Sequence, residues 1–306
     1  MEIEKKQQYK GNLLLILAAA IWGFAFVAQK QGGNIGTFTF TALRMFIGAA
    51  ALTPVIHWMD RKKTPASAPE EDPKQDKKLL LRAGMSSGLF MFLGTALQQA
   101  GLRYITAGKS GFITATYTLL VPMVSVLLGK KVRGIVWFCA FLCVGGLYLL
   151  CMNGNSGFSF GIGEILTLGS SFAFVGQILC IDHFSSKVDG IRMSRLQCIT
   201  SGILGLILML LFEHPSLHTI LGAWVSLLYV GVCSSAGGYT LQIVGQKYTK
   251  PTEATIIMSL ESVFSVLAGA LLMHDRMISM QYLGCAMIFT ATLLPNLPSP
   301  RAGKNA

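Results

Sequence analysis

A chain of 306 residues with 52% hydrophobic and only 13% charged side chains has a mean hydropathy of +0.56. A soluble domain carries roughly one quarter charged residues, and here the charges cluster between apolar runs close to the about 20 residues that cross a bilayer core. This excludes a secreted, disordered or nucleic-acid-binding protein and indicates a polytopic membrane protein.

Apolar runs between charged or Gly, Pro and Asn breaks predict ten spans, near 11–29, 36–57, 79–102, 105–129, 134–152, 161–181, 191–212, 219–243, 253–273 and 278–296. The first follows Lys5, Lys6 and Lys10 and has the outline of a signal peptide. The recurrence of its sequence inside span 6, described below, argues that it stays. Span 2 carries Arg44 near its middle. Between spans 2 and 3, residues 58–78 read as a solvated cytoplasmic loop. Span 4 opens on Lys109 and shows a stripe of Ser110, Thr114, Tyr117, Val121 and Ser125 beside Pro122. Span 6 begins at Glu164, where a carboxylate suits a helix amino end. Span 9 shows a second stripe, Ala254, Met258, Glu261, Ser265 and Ala268, and small residues let helices approach closely. Trp58, Trp137 and Trp224 fall at span ends, as an aromatic belt places them, whereas Trp22 lies well inside span 1.

With ten spans, both termini and the loops after spans 2, 4, 6 and 8 share one side. That side holds 20 of the Lys and Arg residues, the other side four (Lys30, Arg103, Lys109, Arg276). Positive residues favour the cytoplasm, so both termini are expected inside, in the plasma membrane. The net charge of +11 is then mostly a topology signal, aided by anionic lipid at the inner leaflet.

Phe24 to Gln29 reads FAFVAQ and Phe172 to Gln177 reads FAFVGQ, an interval of 148. PMVSVLLG (Pro122 to Gly129) matches SVFSVLAG (Ser262 to Gly269) at 140, and Arg103-Tyr104 matches Lys247-Tyr248 at 144. Three colinear matches at nearly one offset indicate two copies, 1–153 and 154–306. Five spans per copy is odd, so the second copy enters the membrane from the opposite face. The expected fold class is an all-α integral membrane protein of ten transmembrane helices, arranged as two inverted five-helix repeats. Inverted repeats are typical of secondary transporters that alternate access to a midplane site.

Several features resemble the drug/metabolite transporter superfamily, specifically the EamA-type ten-helix exporters: Trp22-Gly23, Arg44 five residues before Ala49, the run Thr106 to Pro122 (TAGKSGFITATYTLLVP), and the stretch Glu261 to Asp275 closing span 9. The resemblance covers essentially the whole chain. Three positions depart from the family pattern. Glu261-Ser262 stands where Glu-Pro is common, Asp275 replaces a closing Glu, and Lys130-Lys131 lies near a usual acidic position. The resemblance implies transport, in the export direction, of amino acids, metabolites or drugs. A flippase or carrier of lipid-linked or nucleotide sugars with the same fold is the alternative.

A charge in the middle of a span costs about 2.5–3.5 kcal/mol on translocon scales and so faces the bundle interior or a wet cavity. Glu261 is read either as a proton- or cation-binding carboxylate or as a structural anchor, with Arg44 as one conceivable partner. Arg44 is read as a carboxylate ligand or a structural cation, and Lys109 as a snorkelling or cavity residue. Gln29 and Gln177 close the repeated hexapeptide and are candidate polar lining, while Trp22, Tyr117 and Tyr239 are candidate aromatic walls. Expected partners are a small-molecule solute, membrane lipid and protons, with the chain a monomer or homodimer. No cofactor is expected. The seven cysteines, without a CxxC, read as small apolar residues. Gly108-Lys109-Ser110-Gly111 matches the GxSG of intramembrane serine proteases, but every histidine falls in a loop or at a span end, away from the base role that a serine hydrolase using Ser110 requires.

Overall fold

The computed structural model describes residues 2–32, 35–62, 73–105, 107–151, 161–273 and 279–294; within these, the side chains of residues 107–109 are among those left out. Every regular element among them is helical. In chain order these are α1 (Glu2–Gln31), α2 (Thr37–Lys62), α3 (Pro73–Gly101), α4 (Ala107–Thr114), α5 (Tyr117–Leu127), α6 (Gly134–Cys151), α7 (Ile162–Phe184), α8 (Gly190–Phe212), α9 (Leu217–Gly222), α10 (Trp224–Leu228), a π-helical stretch Tyr229–Gly238, α11 (Tyr239–Gln246), α12 (Pro251–Met258), α13 (Leu260–Met273) and α14 (Ser279–Leu293). Among the described residues, seven helical stretches are long and apolar enough to cross a membrane: Lys6–Gln31, Thr37–Lys62, Lys77–Gly101, Ser110–Leu127, Ile162–Phe184, Gly190–Phe212 and Trp224–Gln246. The expected spans at 134–152 and 278–296 contain shorter apolar helices, Gly134–Leu149 and Tyr282–Leu293. The one at 253–273 is two helices, α12 and α13. Of the loop expected at 58–78, residues 63–72 lie outside the described part, and its flanks extend α2 and α3.

Residue placement is that of a bundle bathed in hydrocarbon. Leu127, Leu210, Phe212, Phe141 and Phe138 are exposed, whereas Arg44, Glu261, Gln29, Gln177 and Gln242 are buried. Lipid offers no hydrogen bonds, so polar groups turn inward and satisfy one another. Both stripes read from the sequence face inward: Ser110, Thr114, Tyr117, Val121 and Ser125 are all buried, as are Ala254, Met258, Glu261 and Ala268, while Ser265 of the second stripe is half-buried. All eight residues of α12 are buried, making it the central element. One core cluster joins α1, α5, α7 and α12 through Leu15, Tyr117, Val121, Phe174, Ile178 and Ile257.

Two interruptions shape the centre. Between α4 and α5, Thr116 Oγ1 donates to Ile113 O at 2.6 Å, and Pro122 lies just downstream. Between α12 and α13, Ser259 Oγ donates to Ile256 O at 2.6 Å. A hydroxyl that bonds back to the preceding turn competes with the helical ladder, and proline removes a donor from it.

Helix ends collect into two layers. At one, Gln8 of α1 and Arg133 before α6 meet Glu253 of α12, Lys130 pairs with Asp182 of α7, and Asp60 of α2 pairs with Arg192 of α8. At the other, Glu213 beyond α8 accepts bonds from Phe38 N, Thr39 N and Thr39 Oγ1 at the start of α2. There Lys30 also donates to Leu102 O and Ile105 O beyond α3.

Candidate functional site

A cavity of about 480 Å³, counted out to its open side, lies between α1, α2, α3, α7, the π-helical stretch and the two interrupted helices. Trp22, Phe26 and Gln29 reach it from α1, Arg44 from α2 and Gln98 from α3. Thr114, Tyr117, Met258 and Glu261 flank the two interruptions, and Phe174, Gln177, Tyr239 and Gln242 close it from the second half of the chain. Seven of the eight residues singled out from the sequence (Trp22, Gln29, Arg44, Tyr117, Gln177, Tyr239 and Glu261) therefore line one space. The eighth, Lys109, lies in α4, and its side chain is outside the described residues. Asp275 is likewise outside them.

Each polar lining residue has a definite partner. Arg44 donates through Nη1 to Gln29 Oε1 at 3.1 Å and through Nε to Ser235 Oγ at 3.2 Å, and it lies beside the Tyr239 hydroxyl. The Tyr117 hydroxyl donates to Glu261 Oε1 at 3.2 Å. Arg44 and Glu261 thus have separate partners, and among the described residues no ion pair joins them. Gln177 and Gln242 exchange amide bonds at 3.2 and 3.3 Å, and Gln177 also donates to Gln197 Oε1 at 3.4 Å. Gln98 donates to Thr114 Oγ1 at 3.1 Å.

Both α1 and α2 pack on the π-helical stretch. Its wider turn presents Ser234 O to Trp22 Nε1 at 3.4 Å and Ser235 Oγ to Arg44, a placement in keeping with the functional bias of π segments. A Cβ at Gly238 would collide with the Trp22 indole, so glycine there lets the ring lie flat on the helix. Trp22 then packs against Tyr239, with ring centroids 5.1 Å apart. Glu261 occupies the first turn of α13, where a helix amino end favours negative charge.

Sequence reasoning missed Gln98, Gln242 and Gln197. The first two stand near the ends of expected spans 3 and 8, where a glutamine reads as interfacial. The bundle brings them together with Gln29 and Gln177. Glu164 bonds Gly161 N at 3.0 Å from the first turn of α7, as its position suggested. Ser110 Oγ is buried without a hydrogen-bond partner, and the four described histidines are exposed. No group of His, Cys, Asp and Glu among the described residues suits a metal.

A cavity at interrupted helices, with one buried cation and one buried carboxylate, is a feature met in secondary transporters, and proteins of similar sequence are named as transporters. The EamA-like transporter family matches residues 9–152 and again 161–297. The chain belongs to the EamA-like transporter family. As a member it is a multi-pass membrane protein related to transporters rather than enzymes. It is 29% identical to an uncharacterized transporter of Archaeoglobus fulgidus, over 94% of this chain and 85% of that one. It is 26% identical to an uncharacterized transporter of Synechocystis, over 97% and 93%. A crystal structure at 18% identity superposes with a TM-score of 0.75, over 93% of this chain and 96% of the other, showing a shared fold.

Proposed function

We propose that this chain moves small organic solutes across the cytoplasmic membrane by secondary active transport, in the export direction. Its spans number ten, as two inverted five-helix repeats (1–153 and 154–306) with both termini in the cytoplasm. The observation that carries this reading is the cavity to which both halves contribute.

The paired packing of helices supports the inverted arrangement. Two of the glycine-dependent helix crossings form a pair. A Cβ at Gly245 would lie 3.0 Å from Gly11 O, and one at Gly101 would lie 2.9 Å from Gly163 O. The first crossing packs the start of α1 on the end of α11. The second packs the start of α7 on the end of α3, so the same contact occurs at each end of the bundle with the halves exchanged. The twofold match to the family supports the same reading. Rocking of the halves about the cavity exposes it to each side in turn. Glu261, buried at an interrupted helix, is the proton carrier that couples the cycle.

Pooled counterflow tests the reading. Purified protein in liposomes preloaded with a metabolite mixture should exchange one compound class selectively for isotopically labelled copies. Flux without counterflow would mean a channel, and no exchange of any compound from folded protein would overturn the carrier reading.

A further inference from the structure

Arg44 is 2% exposed, yet the groups around it are neutral: Gln29, Ser235, Tyr239 and Cys198. Glu261 lines the same cavity but bonds Tyr117 instead of Arg44, and a buried guanidinium with no counter-charge in contact is strongly disfavoured unless something supplies one. Its bonds to Gln29, Ser235 and Tyr239 leave further N–H groups of a planar fork that matches a carboxylate. Gln29 spends only its carbonyl oxygen on Arg44, which leaves its NH2 group to donate to the same anion.

The other half of the chain places a neutral residue at the corresponding position. Arg44 stands seven residues after Thr37, the first residue of α2, and Gln197 seven after Gly190, the first of α8. Gln29 and Gln177, which end the repeated hexapeptide, bond to Arg44 and Gln197 respectively. A close glycine crosses each site: a Cβ at Gly231 would lie 3.2 Å from Arg44 O, and one at Gly88 2.8 Å from Gln197 O. The two positions are thus structural counterparts, and the second holds a neutral glutamine, whose Oε1 accepts from Gln177 while its Nε2 is buried without a partner. The positive charge of the first is the part that packing does not explain.

We infer that Arg44, with Gln29, is an anion subsite and that the solute is a small amphipathic monocarboxylate whose apolar body lies against Trp22, Phe26, Phe174 and Tyr239. Glu261 within the same cavity opposes a second negative charge, which sets the limit at one carboxylate. This rests on the carrier reading above and narrows it to one solute class.

The test is counterflow in liposomes with full-length protein and a labelled panel of aryl- and alkyl-carboxylates, each beside its matching primary amide and amine. Exchange confined to the carboxylates is expected. Arg44→Gln, which copies the other half, should melt in detergent like the unsubstituted protein and lose exchange by about tenfold or more, as for a hydrogen bond to a charged group; Arg44→Lys should retain part of it. Amide or amine exchange that survives Arg44→Gln would overturn the inference while leaving the carrier intact. Absence of carboxylate exchange by protein that exchanges other solutes in the wider metabolite pool would overturn it as well. Failure with both panels would remove the carrier reading and this inference together.

Discussion

Tyr117 and Glu261 meet across the two halves of the chain, phenol hydroxyl to Oε1 at 3.2 Å, each in the first turn of the helix that follows an interruption. The bond joins the two broken helices at the cavity wall, so a change in the protonation of Glu261 acts directly on the contact between the halves.

Glu261→Gln keeps an acceptor for the Tyr117 hydroxyl but cannot gain or lose a proton. The variant should fold, and its counterflow should no longer vary with pH across the neutral range. Unchanged rate and pH dependence would exclude Glu261 as the coupling group. Tyr117→Phe removes the donor while leaving the carboxylate, so it should alter the pH profile without abolishing it.

At the glycine crossings, added bulk has no room. Gly245→Val and Gly101→Val should each destabilise the protein by about 1–3 kcal/mol, the usual cost of overpacking, read as a lower melting temperature in detergent. Gly222→Ala serves as the control, because a Cβ there meets nothing within 4 Å. Equal behaviour of all three would show that the crossings are not tight.

Glu213 accepts three bonds at the start of α2. Glu213→Ala should cost about 1–2 kcal/mol, as loss of an N-terminal cap does, and Glu213→Gln should cost less because one carbonyl oxygen remains. The comparison of melting temperatures decides it.

Glu253 is buried in the first turn of α12, while its partner Arg133 is about half exposed. Exposed partners of ion pairs contribute about 0–1 kcal/mol. Arg133→Ala should therefore be nearly silent in a melting assay, and Glu253→Ala should be the more damaging of the two, since it also leaves Gln8 without its acceptor.

Much of this architecture was legible before any coordinates. The buried faces of spans 4 and 9 were readable because Ser110, Thr114, Tyr117 and Ser125, or Ala254, Met258 and Glu261, repeat at helical spacing in otherwise apolar runs. Gln29 and Gln177 were readable as a pair because the hexapeptide repeats. The interruptions at Thr116 and Ser259 were not, since threonine and serine occur in intact helices as well. The π-helical turn was also hidden: its glycines and serines read as an ordinary small-residue segment.

The sequence by itself determined that the chain lives in a membrane and that one family pattern occurs in it twice, because hydropathy and repetition are properties of local composition. Only the tertiary structure decided the partners. It placed Arg44 against Gln29 and Ser235, gave Tyr117 to Glu261, and brought Gln177 to Gln242. The physical reason lies in the solvent: lipid is as apolar as leucine, so hydropathy fixes a helix's depth but says little about its rotation, which close packing and interior hydrogen bonds must set.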